Sequence, residues 1–150
     1  MPNNKYAYQG PQEKTAKAIA PRQNVSFKQA NQVCNAIKGM NVDKAMTYLE
    51  KVQTLEAVIP FTKYTRGIGH RVHGVIGRYP QKASAMVHGL LKNAKANADF
   101  KGLATEKLKV AHATAYRKQR FDRRRPKGGG SSPDRHHIDW AGIELVVKEV

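Results

Sequence analysis

A chain of 150 residues has room for one domain and at most an appendage, and 40% apolar residues supply a modest core. Its 27 Lys+Arg against 11 Asp+Glu give a net charge of +16, which repels itself until an anionic partner neutralises it: nucleic acid, an anionic membrane surface or an acidic protein. No stretch approaches the roughly 20 apolar residues of a membrane span, and Met1–Gly10 has no apolar signal-peptide region. The single cysteine, Cys34, excludes an internal disulfide framework and a paired-cysteine zinc site, so a reduced, cytoplasmic location is expected.

The alternating aromatics Tyr6 and Tyr8 predict a short strand at the start of Asn4–Ala20, followed by loop and a break at Pro21 and Arg22. Ser26–Met40 reads as a helix: Ser26 and Gln29 have capping-box spacing, and Ala30, Val33, Cys34 and Ile37 form one apolar face. Gly39 stands where a glycine stops a helix. Asn41–Val52 is a second helix, with Asn41 as N-cap, Asp43 in the first turn and a stripe of Val42, Ala45, Met46 and Leu49. So short a connection makes the pair a helical corner.

Pro60–Lys82 is a different kind of segment. It holds Lys63, Arg66, Arg71, Arg78 and Lys82, is punctuated by Gly67, Gly69, Gly74 and Gly77, and no acid occurs between Glu56 and Asp99. A basic loop of about 20 residues inside a compact domain is usually functional or disordered. Pro80 is expected at the first position of a third helix, which buries Ala83, Val87, Leu90, Ala94 and Ala98 and stops at Gly102. Lys92, Lys95 and Asn97 lie on its other side.

The period then changes to two. Leu108, Val110, His112, Thr114 and Tyr116 predict one face of a strand, and Ile143, Leu145 and Val147 one face of another. Ile138 and Trp140 have the opposite phase, which a bulge at Gly142 would reconcile. Between the strands, Arg117–Lys127 holds seven basic residues and one acid, and Gly128–Pro133 is expected to make a turn or flexible tip. The pattern is a long β-hairpin; an arm of about 12 residues reaches ~40 Å. Such a ribbon is marginal in water by itself and needs a surface to lie against. With this charge, that surface is phosphate.

No catalytic constellation stands out. Cys34 sits in an apolar stripe and reads as a small core residue. His136 and His137 are adjacent on a strand, point to opposite faces and do not chelate one metal easily with Asp139. His70 and His73 read as phosphate or base contacts; Gly67-x-Gly69 lacks the context of a nucleotide loop. A run of charge is ordinarily a solvated face, but here the cations are unmixed with acids and gather in two segments with glycines and Tyr64, Tyr79, Tyr116 and Phe121. Such rings stack on unpaired bases, and six Arg against two Lys between residues 117 and 135 suit bidentate phosphate contacts. No helix reads as a concentrated major-groove reader, so folded RNA fits better than DNA.

The order and spacing of SFKQANQVCNAIKGM at 26–40, KAMTYLEKV at 44–52, VIPFTKYTRGIGH at 58–70, GRYPQKAS at 77–84, LLKNAKANADFKGL at 90–103 and IELVVKE at 143–149 carry a resemblance. The chain resembles the universal large-subunit ribosomal protein family numbered twenty-two, seventeen in eukaryotes. The longer loop before GRYP resembles the archaeal and eukaryotic type, and with an end soon after the last strand an archaeal-type member is expected. The resemblance implies an α+β fold, three helices packed on a small antiparallel sheet with a long projecting hairpin, in the element order that periodicity gives. It implies one domain over 1–150, a globular part at 1–115 with 140–150, and an arm at about 116–139. The family's arm runs through rRNA to the wall of the nascent-peptide exit tunnel. One departure is the segment RRRPKGGGSSPDRHHIDWAG, where the family passes from Ser-Pro to the last strand in fewer residues; DRHHIDWAG would bulge or lengthen the arm.

The expected function is therefore a structural, non-enzymatic constituent of the large subunit, with no cofactor or metal. Arg66, His70, Arg71, Arg78 and Lys82 are expected to clamp rRNA phosphates. Arg117, Lys118, Arg120, Arg123, Arg124, Arg125 and Lys127 are expected to thread between rRNA helices. Arg22, Lys28, Lys63, Lys92 and Arg135 complete the candidate rRNA-binding set. Neighbouring large-subunit proteins and the nascent polypeptide at the tip are the other expected partners; a membrane is not one. The alternatives are a non-ribosomal RNA chaperone or architectural protein with the same patches, and an RNA-acting enzyme, whose only candidates are His136, His137 and Asp139.

Overall fold

The apolar stripes of three helices meet on one face of an antiparallel sheet. A computed structural model describes residues 6–71, 75–125 and 134–150, and of 123–125 and 134–137 the backbone alone. In chain order the elements are β1 (Thr15–Gln23), α1 (Phe27–Ile37), α2 (Val42–Gln53), β2 (Ile59–Pro60), β3 (Gly77–Arg78), α3 (Gln81–Phe100), a 3-10 turn (Thr105–Lys107), β4 (Leu108–Arg125) and β5 (Asp134–Glu149). The main sheet has the order β1-β5-β4, and β2 pairs with β3 separately. This is the expected α+β class.

The core is built from Ala30, Val33, Cys34 and Ile37 of α1, Val42, Ala45, Leu49 and Val52 of α2, and Ala83, Val87, Leu90, Ala94 and Ala98 of α3. Ala16, Ala18, Leu108, Val110, Ala113, Ala115, Ile143, Leu145 and Val147 face them from the sheet. α1 is shorter than expected because Gly39 turns the chain at a φ of +79° and its N–H donates to Val110 O at 2.9 Å. Ser26 stands at the N-cap, but its side chain makes no capping bond, so the expected capping box is not formed. In α2 the Asn41 side chain does cap, accepting from the Asp43 N–H at 3.0 Å. Pro80 sits one position earlier than expected, at the N-cap of α3, where its carbonyl accepts the Ser84 N–H at 2.9 Å.

The expected N-terminal strand is displaced. β1 lies at Thr15–Gln23 and runs through Pro21 and Arg22, where a break was expected. Its inward residues are alanines, a weak strand signal. Pro21 is tolerated because β1 is an edge strand and its ladder with β5 shifts between Ala20 and Gln23. Tyr6–Tyr8 instead crosses the outer face of the sheet. The Ala7 N–H donates to both carboxylate oxygens of Glu144, at 3.2 and 3.1 Å, and the Tyr8 ring lies 5.7 Å from that of His112.

The expected single alternation of β4 is also corrected. An extra residue between Val110 and His112 moves Ala113 and Ala115 into the core and turns His112, Thr114 and Tyr116 away from it. β5 runs without an extra residue, so no bulge sits at Gly142; the irregularities lie in its neighbours, between Arg117 and Gln119 and between Ala20 and Gln23. Gly142 serves a close approach instead, since a Cβ there would come 2.6 Å from the Tyr116 ring. DRHHIDWAG is paired strand throughout, from Arg125↔Asp134 to Tyr116↔Gly142. It lengthens the ribbon, and the extra residue is Lys118, on the opposite strand. The expected tip, Gly128–Pro133, lies outside the described residues, as do Asn4 and Lys5.

The segment expected to be one long loop has a hairpin stem. Ile59 pairs with Arg78 and Pro60 with Gly77, the Phe61 N–H donates to Ile76 O at 3.0 Å, and His70 bridges Ile76. Among the described residues, no helix is long and apolar enough to cross a membrane.

Candidate nucleic-acid interface

Buried polar side chains fix the loop to the helices. Gln32, 1% exposed in the middle of α1, accepts from the Thr62 N–H at 3.1 Å and from the Thr62 hydroxyl at 3.2 Å. The Tyr48 hydroxyl of α2 donates to Val58 O at 2.7 Å, just before the stem. The segment after Thr62 turns through two left-handed residues, Tyr64 at a φ of 60° and Gly67 at 74°. Tyr64 is thereby set edge-on to Phe27 at 6.1 Å, and the Lys28 ammonium lies 5.3 Å from its ring.

The same aromatic cluster holds the root of the ribbon. The guanidinium of Arg117 sits 4.5 Å from the Phe27 ring centroid, and its Nε lies 3.5 Å from Asp139 Oδ1. Beside it, Asn24, Val25, Ser26, Gln29, Lys82, Ile138 and Asp139 line an open groove of about 390 Å³. The start of α1, the loop, the first turn of α3 and the ribbon root are thus joined at one side of the molecule.

Of the candidate cations, Lys28, Lys82 and Arg117 belong to this cluster. Arg22 is exposed at the β1 irregularity, next to Gln23, whose partner Ala141 pairs on its other side with Arg117. Lys63, Arg66 and His70 are exposed on the loop and Arg78 on its stem. Arg71 is exposed but held, with Nε donating to Gly77 O at 3.3 Å and its guanidinium 5.7 Å from the Tyr79 ring. Lys118 is the extra residue of the β4 bulge, and Arg120 pairs with Asp122 at 3.1 Å. Lys92 is exposed on α3 but stands apart, ten residues and so ~15 Å along the helix from Lys82. Arg123, Arg124, Arg125 and Arg135 lie on the paired strands, with side chains outside the described residues. Lys127 lies outside them entirely, and so does His73.

Cys34 is buried, and burial pushes its thiol up to about 12, against a weaker downward pull from Lys38. Such a thiol is an inert core group. Asp139 is engaged with Arg117. The side chains of His136 and His137 are outside the described residues. Among the described residues, no group of three His, Cys, Asp or Glu side chains could hold a metal ion.

Sequence reasoning missed four participants. Gln32 carried no signal, because it lies on the far side of α1 from the stripe of Ala30, Val33, Cys34 and Ile37 and is buried only by the loop at Thr62. Phe27, beside the candidate cation Lys28, carried no signal for its role under Arg117. Trp140, 5.9 Å from Phe121 at an interplanar angle of 67°, was read only as a phase problem. Glu144, 1% exposed and held by Ala7 and by His112 Nε2 at 3.1 Å, looked like an ordinary outward strand position. Its charge, after burial, holds the hydroxyls of Tyr6 and Tyr116 above their usual range.

Comparison with known proteins finds a family model described as ribosomal protein L22p/L17e matching residues 18–148. Among similar proteins, one from Methanocella arvoryzae is 37% identical over 91% of this chain and 90% of its own length. One from Methanococcoides burtonii is 35% identical over 100% and 99%, and one from Archaeoglobus fulgidus 37% identical over 95% and 94%. All three are named large ribosomal subunit protein uL22.

Proposed function

The chain belongs to the ribosomal protein L22p/L17e family, and from that premise we propose that it is a structural constituent of the large ribosomal subunit in the cytoplasm, organising rRNA through two basic segments. The family's role is non-enzymatic. The globular part, 1–115 with 140–150, is the platform, and the ribbon of about 116–139 is the arm. The arm runs between rRNA helices to the wall of the nascent-peptide tunnel, with neighbouring large-subunit proteins against the platform and the nascent chain at the tip.

One observation carries this reading. The β4–β5 ladder continues past Gln23↔Ala141, the last pair with β1, to Arg125↔Asp134 as a ribbon of two strands. A two-stranded ribbon is marginal alone, and this one places cations from Arg117 to Arg125 along one strand. Phosphate supplies both the missing surface and the missing charge. The loop cations Lys63, Arg66, His70, Arg71 and Arg78 with Lys82 form the second contact, and Arg22, Lys28, Lys92 and Arg135 add to the two.

The test is the salt dependence of binding to large-subunit rRNA. Each phosphate contact adds roughly 0.7–0.9 to the slope of log affinity against log salt. Replacing Arg123, Arg124, Arg125 and Lys127 with Ala flattens the slope and weakens binding; an unchanged slope rules the arm out as an RNA contact. No observation favours a non-ribosomal RNA chaperone.

A further inference from the structure

Beyond the cations, the ribbon carries an aromatic face. Gln119 lies directly opposite Trp140 and Phe121 opposite Ile138, so these four side chains share one face. Phe121 and Trp140 are diagonal neighbours packed edge to face at 5.9 Å, and Phe121 remains 42% exposed. β5 has no extra residue between Trp140 and Glu144, so this face continues the outer face of the sheet, away from the helical core. The Tyr6–Tyr8 segment covers that outer face at Glu144 and His112. No third strand pairs with the ribbon there among the described residues.

Lys118, the extra residue of β4 next to Gln119, is exposed beside this face, while Arg117 and Arg120, opposite Ala141 and Asp139, project from the other face of the ribbon and are paired with Asp139 and Asp122. A partly exposed aromatic pair on a strongly cationic ribbon matches a base together with its own phosphate. An apolar protein segment would have to strip water from the cations and give nothing in return. We propose that Phe121 and Trp140 form a stacking platform for an unpaired nucleobase, with Lys118 meeting a flanking phosphate. The proposal rests on the RNA-binding reading and adds to it a site for a base, where that reading needs phosphates alone.

Trp140 is the only tryptophan in the chain, so the full-length protein reports on its own site. Intrinsic fluorescence is titrated with a short oligoadenylate and with an abasic strand of the same length, while the anisotropy of a labelled strand follows binding. Stacking predicts a saturable fall in emission with oligoadenylate alone, although both strands bind. Phe121→Leu is expected to weaken the oligoadenylate about tenfold and leave the abasic strand unchanged. Binding of both strands with no change in emission overturns the platform and leaves the RNA reading intact. Absence of binding to either strand overturns both. Quenching by apolar peptides and not by oligoadenylate would assign the rings to a protein partner and overturn the proposal.

Discussion

Arg117 holds its guanidinium 4.5 Å from the Phe27 ring centroid and its Nε 3.5 Å from Asp139 Oδ1, so the first arginine of the ribbon is ion-paired within its own chain. Phe27 belongs to α1 and Asp139 to β5, and the three side chains tie the ribbon root to the helical layer. Phe27 also meets Tyr64 of the basic loop edge-on at 6.1 Å. The two basic segments, far apart in sequence, are therefore set relative to one another through a single ring.

Replacing that ring should loosen the ribbon at its root. Phe27→Leu keeps apolar volume and removes the stack, at an expected loss of about 0.5–1 kcal/mol. Arg117→Lys should behave alike, because an ammonium keeps the charge without the planar contact. Amide hydrogen exchange over Arg117–Phe121 is expected to quicken in both variants. Exchange identical to the parent chain would mean that Asp139 and the ladder hold the root without Phe27.

The loop stem should depend on Gly77. A Cβ there would come 2.5 Å from the Ile59 carbonyl oxygen, a backbone atom that cannot turn aside. Gly77→Ala is expected to cost about 1–3 kcal/mol by forcing the β2–β3 pair apart. Thermal unfolding gives the loss, and a lower salt slope for RNA binding shows the loop cations displaced with it. A stable variant with an unchanged slope would show that the stem is not what presents them.

Glu144 should fasten the N-terminal segment. Glu144→Ala leaves the Ala7 N–H and the His112 imidazole without the acceptor they share. The expected cost is about 1–3 kcal/mol. Limited proteolysis is expected to cut before β1 in the variant and not in the parent. Equal resistance in both would assign the fastening to the rings, Tyr8 against His112 and Tyr6 with the Lys17 ammonium 5.4 Å from its centroid.

Cys34 predicts an alkaline limit to stability. Its folded value of about 12 lies above the ordinary 9.0, so the thiol favours folding fully below pH 9.0. That contribution is lost as pH climbs from 9.0 toward about 12, where the unfolded chain ionises and the folded one resists. Cys34→Ala should flatten this part of the stability profile. A thiol reagent at pH 8 should label the parent only on unfolding, and rapid labelling of the native chain would contradict the burial.

What was legible in the sequence follows from how each signal arises. Helical stripes such as Ala83, Val87, Leu90, Ala94 and Ala98 repeat over several turns, and all five are buried. Gly39 and Gly102 end their helices at the positive φ that was expected of them. Strand phase is more fragile, because one extra residue at Ala111 exchanges the faces of everything after it. β1 stayed hidden because Ala16 and Ala18 are small and Pro21 imitates a break. The basic segments were plain from charge alone. That Lys28, Tyr64, Phe27, Arg117 and Asp139 would meet was not, because the contact joins four segments distant in sequence and periodicity describes one element at a time.

Native lysate fractionated on sucrose gradients at low and high salt, and probed for this protein, tests the ribosomal assignment itself. An rRNA scaffold protein held through two basic segments sediments with the large subunit and stays there through the high-salt wash. Protein that remains at the top of the gradient, or leaves the subunit at modest salt, would contradict it and mark an external RNA binder sharing the family's fold.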